Sequence, residues 1–175
     1  MQIEQGAVGV CAAKLSEAAV MLAAGVKSIL LTSPLATVQK AQGLNALLQQ
    51  HPDHKLHLVV DSKEGMEVLR QSIDADQQLG LLVDIDLSMG RTGTRDVETT
   101  LWLIDAMGRD QRFNFAGIQH YAGHLMHIPD YAKRKDKSLA SWSRLDDFFS
   151  ALEGRGIHLS LIHISEPPRP SSIAY

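Results

Sequence analysis

Short apolar runs alternate along the chain with longer stretches in which apolar residues recur every three or four positions. Ala7–Cys11, Ser28–Leu31, Leu56–Val60, Gly80–Ile85, Phe115–Ile118 and Ile157–Leu161 are the short runs, and each predicts a strand. Between them the spacing predicts helices. Ser16 to Gly25 reads as one, with Ser16 as N-cap and Gly25 as stop. Thr37 to Gln49 follows, with Val38, Ala41, Leu44, Leu47 and Leu48 on one face, and then Lys63 to Ile73, with Met66, Leu69 and Ile73. Asp96 to Met107 begins on an acidic residue, as the helix dipole favours. Leu139 to Leu152 reads as one long amphipathic helix closed by Gly154 or Gly156.

Strands that are apolar throughout, each followed by a helix, require a parallel sheet covered by those helices. About five or six β/α units are predicted. The turn after Ala7–Cys11 is Ala-Ala-Lys-Leu-Ser, which lacks the glycines of a dinucleotide-binding turn. A complete β/α barrel needs roughly 250 residues, and this chain has 175. The prediction is an α/β fold, a partial (β/α)8 TIM barrel. Residues 1–159 are expected to form it. Residues 160–175 change abruptly to proline and serine and are expected to be a non-native or disordered tail.

A net charge of −3 gives no basic excess, so nucleic acid is not an expected partner. No apolar run approaches the roughly eighteen residues of a membrane span, and the N-terminus has no secretory pattern, so a cytoplasmic setting is the expectation. A single cysteine, Cys11, excludes an intrachain disulfide and any cysteine-based zinc cluster.

Two segments carry chemistry. Phe115 to Ile118 runs directly into Gln119, His120, Tyr121, His124 and His127. Titratable and aromatic groups thus gather past a strand's carboxyl end, where α/β folds place their sites. The second segment is Val83–Thr94, a strand emerging into Gly90 and Gly93 around a lone Arg91. An isolated arginine in such a turn is ordinarily a surface residue; its place after a strand end turns the weight toward a site. His120, His124 and His127 would share a face only on a helix, and Gly123 favours a loop, so a self-contained histidine metal site is not expected. His51, His54 and His57 flank Pro52-Asp53 and read as a polar loop, and either Asp84 or Asp86 is expected to bond backbone in the turn before Arg91.

Together with Gly9–Ala18, Ala24-Gly25 and Val59–Ser62, these segments resemble the D-threonine aldolase / D-serine dehydratase-like family, from Gly6 to about Leu159. The resemblance implies a pyridoxal 5'-phosphate enzyme with the alanine-racemase type of barrel, acting on a small D-amino acid. It implies Arg91 at the cofactor's pyridine nitrogen, Tyr121 beside the ring, Gln119 in the same pocket, and His127 exchanging a proton with the substrate's β-hydroxyl. The implied reaction is retro-aldol cleavage of a D-β-hydroxy amino acid, such as D-threonine to glycine and acetaldehyde. D-serine dehydration, racemisation, a pyridoxal-phosphate carrier and an inert fragment are the alternatives. The family's Schiff-base lysine precedes every segment matched here; its divalent metal (Mn, Mg or Zn) belongs to a C-terminal β domain. Lys14 matches a different family lysine and reads as a solvated residue. The chain is therefore expected to be the middle of a longer enzyme, inactive alone, with a homodimer open for the whole protein.

Overall fold

The computed structural model describes residues 3–86, 89–157, 159 and 162–165. Six strands form one parallel sheet: β1 (Val10–Ala12), β2 (Ser28–Leu31), β3 (Lys55–Val60), β4 (Leu79–Ile85), β5 (Phe113–Tyr121) and β6 (Ile162–Ser165). Their order in the sheet is their order in the chain, and every neighbouring pair is parallel. A doubly wound sheet reverses direction at a switch point; this one never does, so it winds one way, as a barrel wall must.

The burial pattern agrees. The main core joins strand residues Ile29, Leu31, Leu58, Val60, Leu81 and Val83 to helix residues such as Leu44, Met66, Leu69 and Leu103. The opposite face carries a separate apolar layer built only from strands: Leu30, Val59 and Leu82, with Ala116 against them. Side chains alternate between faces along a strand. One face therefore packs on the helices and the other lines the interior.

The helices are α1 (Leu15–Ala23), α2 (Val38–Gln50), α3 (Lys63–Ser72), α4 (Val97–Gly108), α5 (Tyr131–Ser143) and α6 (Asp146–Glu153). Thr37, Ser62, Asp96 and Asp130 cap α2, α3, α4 and α5 through their side chains. Two expectations are corrected. Ser16 is not the N-cap of α1; the helix begins at Leu15, and the Glu17 carboxylate accepts the N–H groups of Ala13 and Lys14 at 2.9 and 3.1 Å. The stretch read as one helix from Leu139 is two, with Arg144 and Leu145 as the joint. The last described strand is Ile162–Ser165, inside the segment expected as a tail; of the strand expected at Ile157–Leu161, His158, Ser160 and Leu161 lie outside the described residues.

β5 is longer than its apolar run because the sheet pairs polar residues too: Asn114, Gln119 and His120 sit opposite Gly80, Asp84 and Ile85. Between Leu81 and Leu82 the register slips, so that Phe115 faces Leu81 but Gly117 faces Leu82. Ala116 is the extra residue of a β-bulge, and Gly117, at φ 143°, supplies a backbone few other residues adopt.

Candidate functional site

At the carboxyl ends of the strands the interior turns from apolar to polar. A cavity of about 270 Å³ opens there, lined by Ala13, Thr32, Ser33, Asp84, Arg91, Gln119 and Tyr121. Arg91 comes from the turn after β4 and Tyr121 from the end of β5, and the guanidinium carbon lies 5.2 Å from the centre of the Tyr121 ring. That separation is a cation–π contact.

The Arg91 turn is built by hydrogen bonds back onto β4. Asp86 N–H donates to the Thr94 carbonyl and Thr94 N–H to the Asp84 carbonyl, each at 2.8 Å. Gly93 holds φ +109°, and a Cβ there would lie 2.5 Å from the Asp86 nitrogen, so only glycine closes the turn. Gly93 N–H reaches the Asp61 carboxylate at 3.2 Å. Asp86 accepts from Met89 N–H at 2.7 Å and so fills the role expected of one of the two aspartates.

Asp84 is placed differently. Its two oxygens accept from the Thr92 hydroxyl at 2.9 Å and from Gln119 Nε2 at 3.1 Å, tying the turn to β5. Burial pushes its carboxyl above the usual aspartate range, against the opposing pull of the Gln119 and Thr92 hydrogen bonds. Gln119 Nε2 also donates to the Thr32 carbonyl at 3.2 Å, while Gln119 Oε1 is buried without a partner.

The histidines separate. His120 is buried and faces away from the cavity lining: Nδ1 meets the Ile85 carbonyl at 3.0 Å and Nε2 the Ser141 hydroxyl at 2.9 Å. Since a carbonyl only accepts, Nδ1 carries a proton. His124 Nδ1 lies 3.2 Å from the Met89 sulfur. His127 ends the 3-10 turn Gly123–His127, is exposed, and is not among the cavity's lining residues. Among the described residues no three His, Cys, Asp or Glu side chains group to hold a metal ion.

Of the predicted site residues, the structure thus brings Arg91, Gln119 and Tyr121 together and leaves His127 outside. Asp84, Thr92 and Thr32 were missed as participants; the signal for Asp84 was a carboxylate closing an otherwise apolar strand. A larger cavity, about 670 Å³, opens at the opposite end of the sheet, with His51, His54, His57 and Asp76 in its wall. Size alone does not make it the site: it lies at the amino ends of the strands, where a β/α barrel builds stability rather than chemistry.

Residues 1–167 match the family described as alanine racemase, N-terminal domain. The chain belongs to that family. Within it, the chain is 29% identical over 153 residues to a 3-hydroxy-D-aspartate aldolase of Paracoccus denitrificans (strain Pd 1222), spanning 87% of this chain and 39% of that protein. It is 30% identical over 138 residues to a D-threonine aldolase of an Arthrobacter species, spanning 78% and 35%. The solved D-threonine aldolase from Filomicrobium marinum superposes with a TM-score of 0.83 at 27% identity, over 90% of this chain and 42% of that one. The chain therefore spans about two fifths of the relatives it matches, and its one-way parallel sheet is the alanine-racemase type of fold. No described helix is long and apolar enough to cross a membrane.

Proposed function

We propose that this chain forms the cofactor-facing wall of a pyridoxal-phosphate lyase that cleaves D-β-hydroxy amino acids. The observation that carries the proposal is the convergence of Arg91, Gln119 and Tyr121, from two β/α units, on one cavity at the carboxyl ends of the strands. The aldolase names of the relatives support the substrate class.

The residues fit the ring of such a cofactor. Arg91 offers donors only, Tyr121 an aromatic surface, and Gln119 lines the same cavity. None of the cavity's lining residues is a lysine, and Lys14 is exposed outside it. What these residues support is non-covalent seating of the ring. When bound, pyridoxal phosphate supplies the electron sink for the pair released as the Cα–Cβ bond breaks. His127 takes the proton from the substrate's β-hydroxyl, which pushes that cleavage. Because His127 is exposed outside the cavity lining, this role requires the substrate to extend from the cavity past Tyr121. A divalent metal at the hydroxyl belongs to the proposal for the whole enzyme.

The test is titration of the purified chain with pyridoxal phosphate, followed by borohydride reduction and peptide mapping. Saturable binding lost in Arg91→Ala and Tyr121→Ala is expected, without a stoichiometric adduct at one lysine. A single trapped lysine would overturn the non-covalent assignment. In an enzyme carrying this segment, D-threonine should give glycine and acetaldehyde; pyruvate from D-serine, or the L-enantiomer, would move the assignment to a dehydratase or racemase.

A further inference from the structure

We propose that His120 is a positioning residue: its imidazole anchors α5 to the end of β4 and so fixes where His127 stands beside the cavity. The anchor itself involves no ligand; its bearing on the reaction rests on reading His127 as the group that takes the β-hydroxyl proton.

Between Tyr121 and Ser141 the chain leaves the sheet, and this excursion carries both His124 and His127. Its first part is pinned: Leu125 of the 3-10 turn is buried, and His124 Nδ1 meets the Met89 sulfur. Its second part, α5, has no such hold. Ser141 is the one residue that α5 buries, Arg134 and Ser138 are half-buried, and every other α5 residue is exposed. These three recur at helical spacing, so α5 turns a wholly polar face to the barrel. No buried apolar residue then decides how the helix lies, and a specific polar contact has to.

His120 supplies that contact from the sheet. It is 3% exposed on β5, and each ring nitrogen has its own partner: Nδ1 the Ile85 carbonyl at 3.0 Å, Nε2 the Ser141 hydroxyl at 2.9 Å. One planar ring thus joins β4, β5 and α5. A hydroxyl both donates and accepts, so the Ser141 contact survives in either protonation state of the ring. Leu145, buried at the joint with α6, fixes where α5 ends; Ser141 fixes which way it runs. About two turns earlier, on the same face, Arg134 Nη1 donates to the Ile128 carbonyl at 2.7 Å. Ile128 directly follows His127. A shift of α5 is therefore passed to His127 through a charge-assisted hydrogen bond.

The experiment is amide hydrogen exchange of the purified chain, read by mass spectrometry. Ser141→Ala should speed exchange in α5 and in the Gly123–His127 turn about tenfold, the effect of one lost hydrogen bond, and leave β3 and β4 unchanged. Alanine is the better helix former, so helix propensity alone would slow α5 exchange. His120→Asn, whose amide reaches the place of Nδ1 and falls short of Ser141, should match Ser141→Ala, and the two together should do no more than either alone. Ser141→Ala decides the matter even if His120→Asn fails to fold. Unchanged exchange in α5, equal acceleration in β4, or additive effects of the two substitutions overturn the anchor. A loosened α5 beside an unchanged turn overturns the link to His127. In an enzyme carrying this segment, Ser141→Ala should lower kcat for D-threonine cleavage about tenfold and hold KM within about twofold, since the groups lining the cavity stay in place. An unchanged kcat overturns the positioning role. No cleavage of D-threonine by the unaltered enzyme overturns the reading of His127, and the exchange measurement still decides the anchor.

Discussion

Arg112 and Arg91 stand at opposite ends of the same sheet, and their surroundings divide the molecule. Arg112, just before β5, forms four side-chain hydrogen bonds, to both oxygens of Asp110 at 2.9 and 2.7 Å and to the Arg70 and Ile73 carbonyls at 2.8 and 2.7 Å. Arg70 in turn donates to the Ala106 carbonyl. These bonds staple α3, α4 and the start of β5, and the guanidinium's capacity goes to the fold. Arg91 is exposed and stacks on one ring. A cation whose donors the protein uses up holds structure; one whose donors it leaves available is placed to hold something else. Asp110 and Asp84 repeat the contrast: hydrogen bonding to Arg112 keeps the Asp110 carboxyl below its ordinary range, while burial lifts that of Asp84.

Substitutions can break this division. Arg112→Leu should have the largest effect on stability, about 3 kcal/mol, because two carbonyls and a carboxylate lose charged partners; chemical denaturation measures it. Gly123→Ala comes next. A Cβ there would fall 2.0 Å from the Tyr121 hydroxyl, so the tyrosine or the 3-10 turn must move, at a cost of about 1–3 kcal/mol. Its ligand affinity should fall as well, because the displaced ring is the one under Arg91. Asp96→Ala removes the side chain that caps Thr99 N–H at 2.7 Å and should cost about 1 kcal/mol. Arg91→Ala should change stability by no more than about 0.5 kcal/mol and yet remove ligand binding. A large loss of stability in Arg91→Ala would erase the distinction drawn between the two arginines.

The pH dependence sharpens the same contrast. Asp84 binds its proton more tightly folded than unfolded, so its contribution to stability is complete at low pH. It is lost as pH rises from the ordinary aspartate range through the raised folded value. Asp110 and Asp96 act oppositely: their carboxyls are lowered, so their contribution is present above the unfolded value and lost as pH falls. Asp84→Asn should therefore remove the loss of stability that begins as pH rises out of the ordinary aspartate range, and leave the loss at falling pH carried by Asp110 and Asp96 unchanged, as unfolding midpoints across pH would show.

The β/α alternation was legible because most helices advertise an apolar stripe and β2, β3 and β4 are largely buried on both faces. α2 and α3 differ from their predicted bounds by one residue at most. α5 shows why legibility stops. It buries Ser141 and no apolar residue, and its start is set by the Asp130 cap. Hydrophobic periodicity has nothing to register there, and in the sequence the apolar spacing of Leu145, Phe148 and Leu152 continues backward across the joint. Arg91 and Tyr121 could be nominated from their positions after strand ends. The part of Asp84 could not, because it depends on which face of β4 the carboxylate occupies and on a glutamine 35 residues away in the chain.

The bulge at Ala116 sets the parity of β5. Phe113 and Phe115 pack with the helices, and in an unbroken strand every second residue after them, Gly117, Gln119 and Tyr121, would turn the same way. One supernumerary alanine changes odd to even. Ile118 goes to the helix side, and Gln119 and Tyr121 go to the cavity. The address of two pocket residues is thus written upstream of them, in a count rather than in a side chain. Gly117→Val leaves every pocket group intact and still threatens the site by making the extra residue hard to absorb.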